Sequence, residues 1–174
     1  MRKAIVGAVF ATALFSFRPA PGWVIATGYS VKWSTTGDAA GIFKGLKGSI
    51  NFDENDLATS TFNVTLDVST LNTGNGLMNT HAKSAEYLDA TKFPTIAFVS
   101  SKIAKVGSGF QAVGNLTMHG VSKPLMIPFT FQHTSSGGTF NAKFSVNRVD
   151  FGVGKSGDVD DNISMELSVP VTKK

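Results

Sequence analysis

The side chains that could carry out chemistry are few and widely spaced. The chain has no cysteine and three histidines, His81, His119 and His133. A zinc site would need these rings to converge with a fourth ligand, and their separations in the sequence match no local metal-binding motif. We therefore expect no metal centre, and the absence of cysteine excludes disulfides and thiol chemistry.

Charged residues in the last third of the chain give two further candidates. Arg148 and Asp150 could bind a ligand headgroup or act in catalysis, and a structural ion pair or turn cap is the simpler interpretation. Asp158, Asp160 and Asp161 lack the spacing of a calcium loop, so we interpret them as a solvated turn. No phosphate-binding loop, nucleophile elbow or dinucleotide fingerprint occurs, and no cofactor is expected.

Apolar and polar residues alternate with period two from Trp23 onward, which is typical of half-buried β-strands. The stretch 70–93 lacks this alternation, and a short helix is expected there, capped by Asn79 or Thr80 and ending near Leu88. Phe93 precedes Pro94 and should be extended. The eight predicted strands are 23–34, 42–53, 62–69, one opening near 94 that includes 96–99 and is buried on both faces, 110–118, one that starts at Pro124, 140–147 and 163–171.

These strands predict an all-β fold. Helices do not separate most of them, so the sheet should be antiparallel. A single apolar face over eight strands favours closure into a barrel, with a two-sheet sandwich as the competing architecture. We predict one domain over residues 23–174, an eight-stranded antiparallel barrel with one short helix between its third and fourth strands.

The apolar face is rich in phenylalanine and can serve in two ways. It can fill the barrel completely, or it can line a space for one small ligand, which an eight-stranded barrel is just wide enough to hold. Smooth apolar walls would suit a lipid tail. His81, His119, Arg148 and Asp150 are expected at a polar mouth. The residues expected to line the interior are Phe52, Phe62, Val64, Leu66, Ile96, Phe98, Phe110, Leu116, Met118, Ile127, Phe129, Phe131, Phe140, Phe144, Met165 and Leu167.

The N-terminal segment has the pattern of a secretory signal peptide. Arg2 and Lys3 precede an apolar run that ends at Phe17. This run is shorter than the roughly 20 residues that a membrane-spanning helix needs. We predict a signal peptide over residues 1–22, with the cleavage position left open, and a periplasmic or secreted protein with no stable membrane insertion after its removal.

The charge of the remaining chain argues against nucleic acid as a partner. Without Arg2, Lys3 and Arg18, the 16 basic residues fall to 13 against 12 acidic ones, a net charge of +1. The lysines are scattered and form no dense basic patch, whereas a nucleic-acid-binding surface concentrates them.

Six segments, taken in order, resemble the YceI-like family of periplasmic polyisoprenoid-binding proteins. The most specific is the run LTMHGVSKP, which is similar to the family's LTIHGVTKP block. The six segments are 29–33 (YSVKW), 41–53 (GIFKGLKGSINFD), 67–73 (DVSTLNT), 81–100 (HAKSAEYLDATKFPTIAFVS), 116–124 (LTMHGVSKP) and 147–154 (NRVDFGVG).

This resemblance implies an extended lipocalin-like barrel whose apolar tunnel holds a polyisoprenoid or similar lipid. Two departures from the family pattern lie on either side of His81. The family often has Arg-Asp there, where this chain has Met78-Asn79, and Ala82 replaces a leucine. If those positions meet a headgroup, the choice of ligand differs.

The favoured hypothesis is a binding protein, not an enzyme, that sequesters or transports a long isoprenoid lipid such as a polyprenoid or quinone-type chain. One alternative is an enzyme acting on a lipid-like substrate, with His81, His119 or Asp150 at the tunnel mouth; convergence of two of these would support it. Another is a filled barrel acting as an interaction module, which predicts an exposed apolar patch and no cavity. The sequence is also compatible with a homodimer.

Overall fold

A computed structural model describes residues 20–174. The predicted signal peptide lies outside these residues except for its last three positions. One α-helix is present, α1 (Gly76–Lys83), and single 3₁₀ turns occupy Leu57–Thr59, Val68–Thr70 and Val149–Phe151. The strands are β1 (Gly22–Ile25), β2 (Ser30–Ser34), β3 (Ala40–Phe43), β4 (Leu46–Asn51), β5 (Thr61–Asp67), β6 (Thr95–Val106), β7 (Gly109–Met118), β8 (Val121–Thr134), β9 (Gly137–Asn147) and β10 (Asn162–Lys173).

The strands close into an eight-stranded antiparallel barrel, as predicted. The ring runs β1, β4, β5, β6, β7, β8, β9, β10 and returns to β1, because β1 pairs with both β4 and β10. β2 continues the path of β1 along β10, with Val31 opposite Leu167, and β3 pairs with β2. The first two predicted strands are therefore each present as two shorter strands.

Both interruptions lie side by side and are held together by one side chain. Gly28, in the gap between β1 and β2, has a φ of +85°, which breaks the extended chain. The hydroxyl of Tyr29 donates to the Lys44 carbonyl in the gap between β3 and β4, and it accepts a hydrogen bond from the Leu46 N–H at 3.1 Å. The two breaks thus form one bend in the barrel wall.

Two-residue turns join the long strands at 107–108, 119–120 and 135–136. His119 and Gly120 have φ values of +52° and +76°, the left-handed pair that a tight hairpin requires. A Cβ at Gly120 would lie 2.6 Å from the Phe93 ring, which further restricts this position to glycine.

Pro124 lies inside a strand, not at its start as expected, since β8 already begins at Val121. β8 pairs with β7 along Val121–Phe129, but it pairs with β9 only from Phe129 onward. On the side that faces β9, Pro124 and Pro128 therefore have no partner strand, and a missing N–H donor is tolerated there. The barrel wall is split between β8 and β9 along residues 121–128 of β8.

Side-chain caps displace the helix and shorten the third predicted strand. Asn75, not Asn79 or Thr80, caps α1: its Oδ1 accepts from the N–H groups of Leu77 and Met78 at 2.9 and 3.1 Å. The helix ends at Lys83, a turn and a half before Leu88. β5 ends at Asp67 because its carboxylate accepts the Ser69 N–H at 2.9 Å and turns the chain.

An aromatic plug, defined here as Trp23, Phe52, Phe110 and Phe131, fills one end of the barrel. Phe52 is 1% exposed and touches the rings of the other two phenylalanines of the plug at centroid distances of 5.1 and 5.3 Å. Trp23 packs edge-on against Phe131 and donates its indole N–H to the Phe52 carbonyl at 2.8 Å. This end of the barrel is therefore packed.

The outward face of β6 is not buried. Val99 is half exposed, while Phe98 beside it is buried inside the barrel. The expectation that this strand is buried on both faces is wrong, because no element within residues 20–174 covers Val99 on the outer side. The short apolar run came from one interior face and one solvent-facing valine.

Candidate ligand-binding cavity

An apolar cavity of about 690 Å³ lies inside the barrel between the aromatic plug and helix α1. This volume is in the range of pockets that enclose one small ligand. Its walls are leucine, isoleucine, valine, methionine and phenylalanine side chains from both sides of the barrel. Such a wall offers non-directional contacts over a long surface and few hydrogen bonds.

Thirteen of the sixteen residues expected to line the interior surround this cavity. The other three, Phe52, Phe110 and Phe131, belong to the aromatic plug and do not reach it. The thirteen are Phe62, Val64, Leu66, Ile96, Phe98, Leu116, Met118, Ile127, Phe129, Phe140, Phe144, Met165 and Leu167.

Several lining residues were missed by sequence reasoning. Trp33 and Ala142 point inward from β2 and β9, and their alternation with Val31 and with Phe140 and Phe144 could have revealed both. Leu77, Met78 and Ala82 come from α1, where no period-two signal exists.

Helix α1 and the loop that precedes β10 surround the open end, which we call the mouth. The side chains of Leu77 and Met78 line the cavity and also face solvent, with 81% and 40% of their surface exposed. Val159 does the same from the loop, with 39% exposed. The mouth thus carries apolar side chains that the rest of residues 20–174 leaves partly exposed to solvent.

Arg148 lines the mouth and is 4% exposed. Its guanidinium donates to the carbonyls of Val153, Lys155, Val159 and Asp160 at 2.6 to 3.0 Å. The nearest carboxylate oxygen belongs to Asp161, at 3.5 Å. The expected pair with Asp150 is wrong, because the side chain of Arg148 turns inward and organises the loop 153–161.

His81 and Tyr87 form a second polar group at the mouth. Their ring centroids are 4.5 Å apart, and both rings line the cavity together with Asp158. Burial, followed by the negative charges of Asp158 and Glu86, raises the pKa of the Tyr87 hydroxyl. The phenol therefore stays protonated and able to donate a hydrogen bond.

The other two residues expected at the mouth do not line the cavity. The Nδ1 atom of His119 lies 3.3 Å from the Phe151 carbonyl, and its ring packs on Phe93 at 4.7 Å. Asp150 faces solvent and pairs with Lys123 at 3.6 Å. The structure therefore brings together His81 and Arg148 but neither His119 nor Asp150.

The three aspartates of the loop before β10 have separate partners. Asp160 accepts hydrogen bonds from the hydroxyl and N–H of Thr36, and Asp161 accepts from the Ser156 hydroxyl at 2.6 Å. Asp158 accepts from the Lys155 N–H at 3.2 Å. Within residues 20–174, no three His, Asp or Glu side chains are grouped so that they could hold a metal ion.

His133, the remaining histidine, lies near the end of β8 on the outside of the barrel. Its Nε2 atom is 2.6 Å from a Glu54 carboxylate oxygen, and most of its side chain is exposed. Among the helices of the described residues, none is long and apolar enough to cross a membrane.

The fold and cavity define a class: closed eight-stranded antiparallel barrels with an apolar interior that is packed at one end and open at the other. Within this class, residues 23–171 match the YceI-like domain. The chain belongs to the YceI-like family, as the six sequence segments suggested.

Known relatives agree with this assignment. The YceI protein of Shigella flexneri is 30% identical over 142 residues, which cover 73% of this chain and 71% of that protein. The chain spans about half the length of the first curated relatives that it matches.

Two solved structures share the fold. Burkholderia cenocepacia BcnA superposes with a TM-score of 0.80 at 23% identity, covering 86% of this chain and 99% of that one. A polyisoprenoid binding domain from Saccharophagus degradans, implicated in plant cell wall breakdown, gives a TM-score of 0.66 at 10% identity over 90% of this chain and all of that one.

Proposed function

We propose that this protein binds the chain of an isoprenoid lipid inside the barrel and carries it through the periplasm or outside the cell. The observation that supports this most strongly is the apolar cavity, packed at one end and open at the other. The structural relative that is a polyisoprenoid binding domain supports the same ligand class.

The size of the cavity suggests the length of chain that fits without expansion. At roughly 30 Å³ for each water-sized group, a cavity of about 690 Å³ holds on the order of 20 such groups. A chain of about four isoprene units has a similar size. A longer chain would leave its remaining units at the mouth, against the exposed side chains of Leu77 and Met78.

Binding, not catalysis, is the activity that the polar residues of the mouth support best. Of the candidate catalytic residues, His81 faces the cavity, while His119 and Asp150 are held away from it by Phe151 and Lys123. A general base needs a partner or substrate atom within hydrogen-bond reach. Tyr87 and Asp158 lie on the same cavity lining as His81, but the His81 ring makes no hydrogen bond to any side chain of residues 20–174.

Native mass spectrometry of the protein purified from the periplasm, followed by organic extraction, tests the proposal. We expect a stoichiometric adduct of isoprenoid mass, and the same spectra report whether a homodimer forms. A chain that carries no adduct and takes up neither quinones nor polyprenols on incubation would refute the proposal.

Two neighbouring residues on opposite faces of β8 give a matched pair of variants. Ile127 lines the cavity, whereas Met126 beside it is 60% exposed on the outer surface. Ile127→Trp should fill the cavity and abolish uptake of a twenty-carbon isoprenoid, because the added ring occupies the space that the chain requires. Met126→Trp should leave uptake at the wild-type level, and equal losses in both variants would contradict binding inside the barrel.

The predicted export is tested separately. Deletion of residues 2–17, which lie outside the described part of the chain, should move the protein from the periplasmic to the cytoplasmic fraction. Unchanged fractionation would refute the signal peptide.

A further inference from the structure

Among residues 20–174, the mouth of the cavity is lined by polar groups but by no cation that is free to pair with a ligand. Its ionisable lining residues are His81, Tyr87, Arg148 and Asp158. Arg148 carries a full positive charge, and its guanidinium already makes four hydrogen bonds to backbone carbonyls and lies 3.5 Å from the Asp161 carboxylate. A ligand could recruit this side chain only by breaking the loop that it holds.

The space beside Arg148 is also closed to a large headgroup. A Cβ at Gly154 would lie 2.8 Å from a guanidinium nitrogen of Arg148 and 2.9 Å from the Tyr87 ring. The guanidinium, the tyrosine ring and the backbone of Gly154 are therefore packed together.

The charges nearest the Tyr87 hydroxyl disfavour an anion. Burial, followed by the negative charges of Asp158 and Glu86, raises the pKa of this hydroxyl, and the opposing influence of Arg148 is weaker. A phosphate group usually needs arginine or lysine side chains or several backbone N–H groups to replace its hydration. Met78 lines the mouth with an uncharged thioether side chain and offers no such group.

A neutral hydrogen-bond donor lines the mouth. The Tyr87 hydroxyl and the His81 ring make no hydrogen bond to residues 20–174, and both residues line the cavity. The indole N–H of Trp33 also has no partner in the described part of the chain, but it has no accessible surface and lies against the backbone of Gly41, so a ligand in the cavity does not reach it. A ligand that supplies an acceptor to the Tyr87 hydroxyl would gain a hydrogen bond there.

We propose that the mouth selects isoprenoids with an uncharged, hydrogen-bond-accepting headgroup, such as a quinone or an alcohol, over isoprenoids that end in a phosphate or diphosphate. This inference rests on the proposed function, because it assumes that an isoprenoid chain occupies the cavity. Tyr87 would donate a hydrogen bond to the headgroup oxygen. The loop held by Arg148 would form a wall without supplying a counter-ion.

Two ligands with the same twenty-carbon chain test this selectivity. Geranylgeraniol and geranylgeranyl diphosphate would compete against a neutral fluorescent probe, N-phenyl-1-naphthylamine, bound to the wild-type protein below the critical micelle concentration of either lipid. We expect the alcohol to bind at least about ten-fold more tightly, since the diphosphate loses hydration without gaining a counter-ion. Equal binding, or tighter binding of the diphosphate, would overturn the selectivity and leave the proposed function intact.

Failure of both ligands to displace the probe has a different meaning. It would refute the proposed function itself, since the chain that both ligands share would then find no place in the cavity.

A gain of positive charge at the mouth gives a second test. Met78→Arg should improve binding of the diphosphate by at least about five-fold, because a guanidinium at this position could pair with the phosphate oxygens. The ratio of the affinity for the alcohol to that for the diphosphate should therefore fall. Thr80→Arg, on the exposed face of the same helix and outside the cavity lining, is the control and should leave the ratio unchanged. Equal effects of both variants would show that overall charge, not the mouth, sets the preference.

Removal of the phenolic hydroxyl tests the donor. Tyr87→Phe should weaken geranylgeraniol by about five-fold while leaving the saturated hydrocarbon phytane unchanged, because the hydrocarbon accepts no hydrogen bond. Equal losses for both ligands would mean that Tyr87 acts only as a wall of the cavity, which would overturn its assignment as a donor.

Discussion

At the scale of single residues, Arg148 shows why a charged side chain in a ligand-binding barrel need not contact the ligand. It is buried, and its guanidinium satisfies four carbonyls of a loop that has no regular secondary structure. Buried carbonyls without donors would destabilise the fold, so this one side chain replaces the backbone pairing that a strand would have supplied. Sequence reasoning found Arg148 but assigned it the wrong partner, since spacing alone favoured Asp150.

Substitution of Arg148 should therefore reduce stability more than substitution of an exposed cation. Arg148→Lys keeps the charge but loses the fork geometry, and we expect a loss of about 2–4 kcal/mol in the free energy of unfolding. Lys123→Met, which removes the exposed pair with Asp150, should cost no more than about 1 kcal/mol. Urea unfolding followed by circular dichroism measures both values, and similar losses would contradict this role of Arg148.

Asp160 makes the same loop sensitive to acid. The hydroxyl and the N–H of Thr36 hold the pKa of this carboxyl below its ordinary value of 3.8. The charged carboxylate therefore stabilises the fold at pH values above 3.8, and this contribution is lost as the pH falls through the lowered pKa.

Asp160→Asn should lower the melting temperature at pH 7 and have a progressively smaller effect as the pH falls below 3.8 and through the lowered pKa of the wild-type carboxyl. Asp38→Asn removes the same charge from the neighbouring turn, where the carboxylate accepts no hydrogen bond from the described residues, and serves as the control. A pH dependence equal to that of wild type in Asp160→Asn would rule out this contribution.

At the scale of elements, the long strands were predictable and their interruptions were not. β7, β9 and β10 follow the alternation of their sequences because one face of each packs inside the barrel. The bend that divides the first two strands depends on Tyr29 reaching across to Lys44, a contact between segments that no local pattern encodes. The helix was displaced because Asn75 and Asn79 are both good caps, and Asn79 instead accepts the Thr73 N–H.

The split between β8 and β9 depends on two prolines. Because β8 pairs with β7 throughout this region, the positions of Pro124 and Pro128 direct their missing donors toward β9. Without these N–H donors, the ladder between β8 and β9 does not extend past the pair Phe129 and Ala142.

A double variant, Pro124→Thr and Pro128→Thr, should restore these donors and let the ladder extend toward the mouth. We expect slower hydrogen exchange at Ser145 and Asn147 and slower release of a bound lipid, because the wall beside the cavity is then closed. Pro170→Thr in β10, whose pairing with β9 is already complete, is the control and should change neither rate. Unchanged exchange in the double variant would show that other contacts hold the split open.

At the scale of the whole molecule, packing is uneven along the barrel axis. The aromatic plug is close-packed, whereas the middle and the mouth are lined by partly buried side chains around empty space. The sequence predicted which residues face inward but did not distinguish the plug from the cavity, because period two defines a face and not a depth along the axis. Phe52 was expected to line the ligand space for this reason, but its ring points inward beyond the end of β4 and meets other rings instead of the cavity.

The plug should carry a large share of the stability. Phe52→Ala should cost about 3–5 kcal/mol, since its ring is surrounded on all sides. Phe144→Ala should cost less, because one side of that ring already borders the cavity. Chemical denaturation of both variants would measure the difference, and equal losses would argue against an uneven distribution of packing.

The packed end has a consequence for the order of events in any exchange. A molecule that occupies the cavity enters and leaves on the side of the mouth, since the opposite end is blocked by Phe52 and its neighbours. A surface that delivers such a molecule and a surface that receives it therefore compete for the same face of the protein. Delivery and receipt must alternate, with dissociation from the first surface before contact with the second, and no simultaneous three-component handover can form.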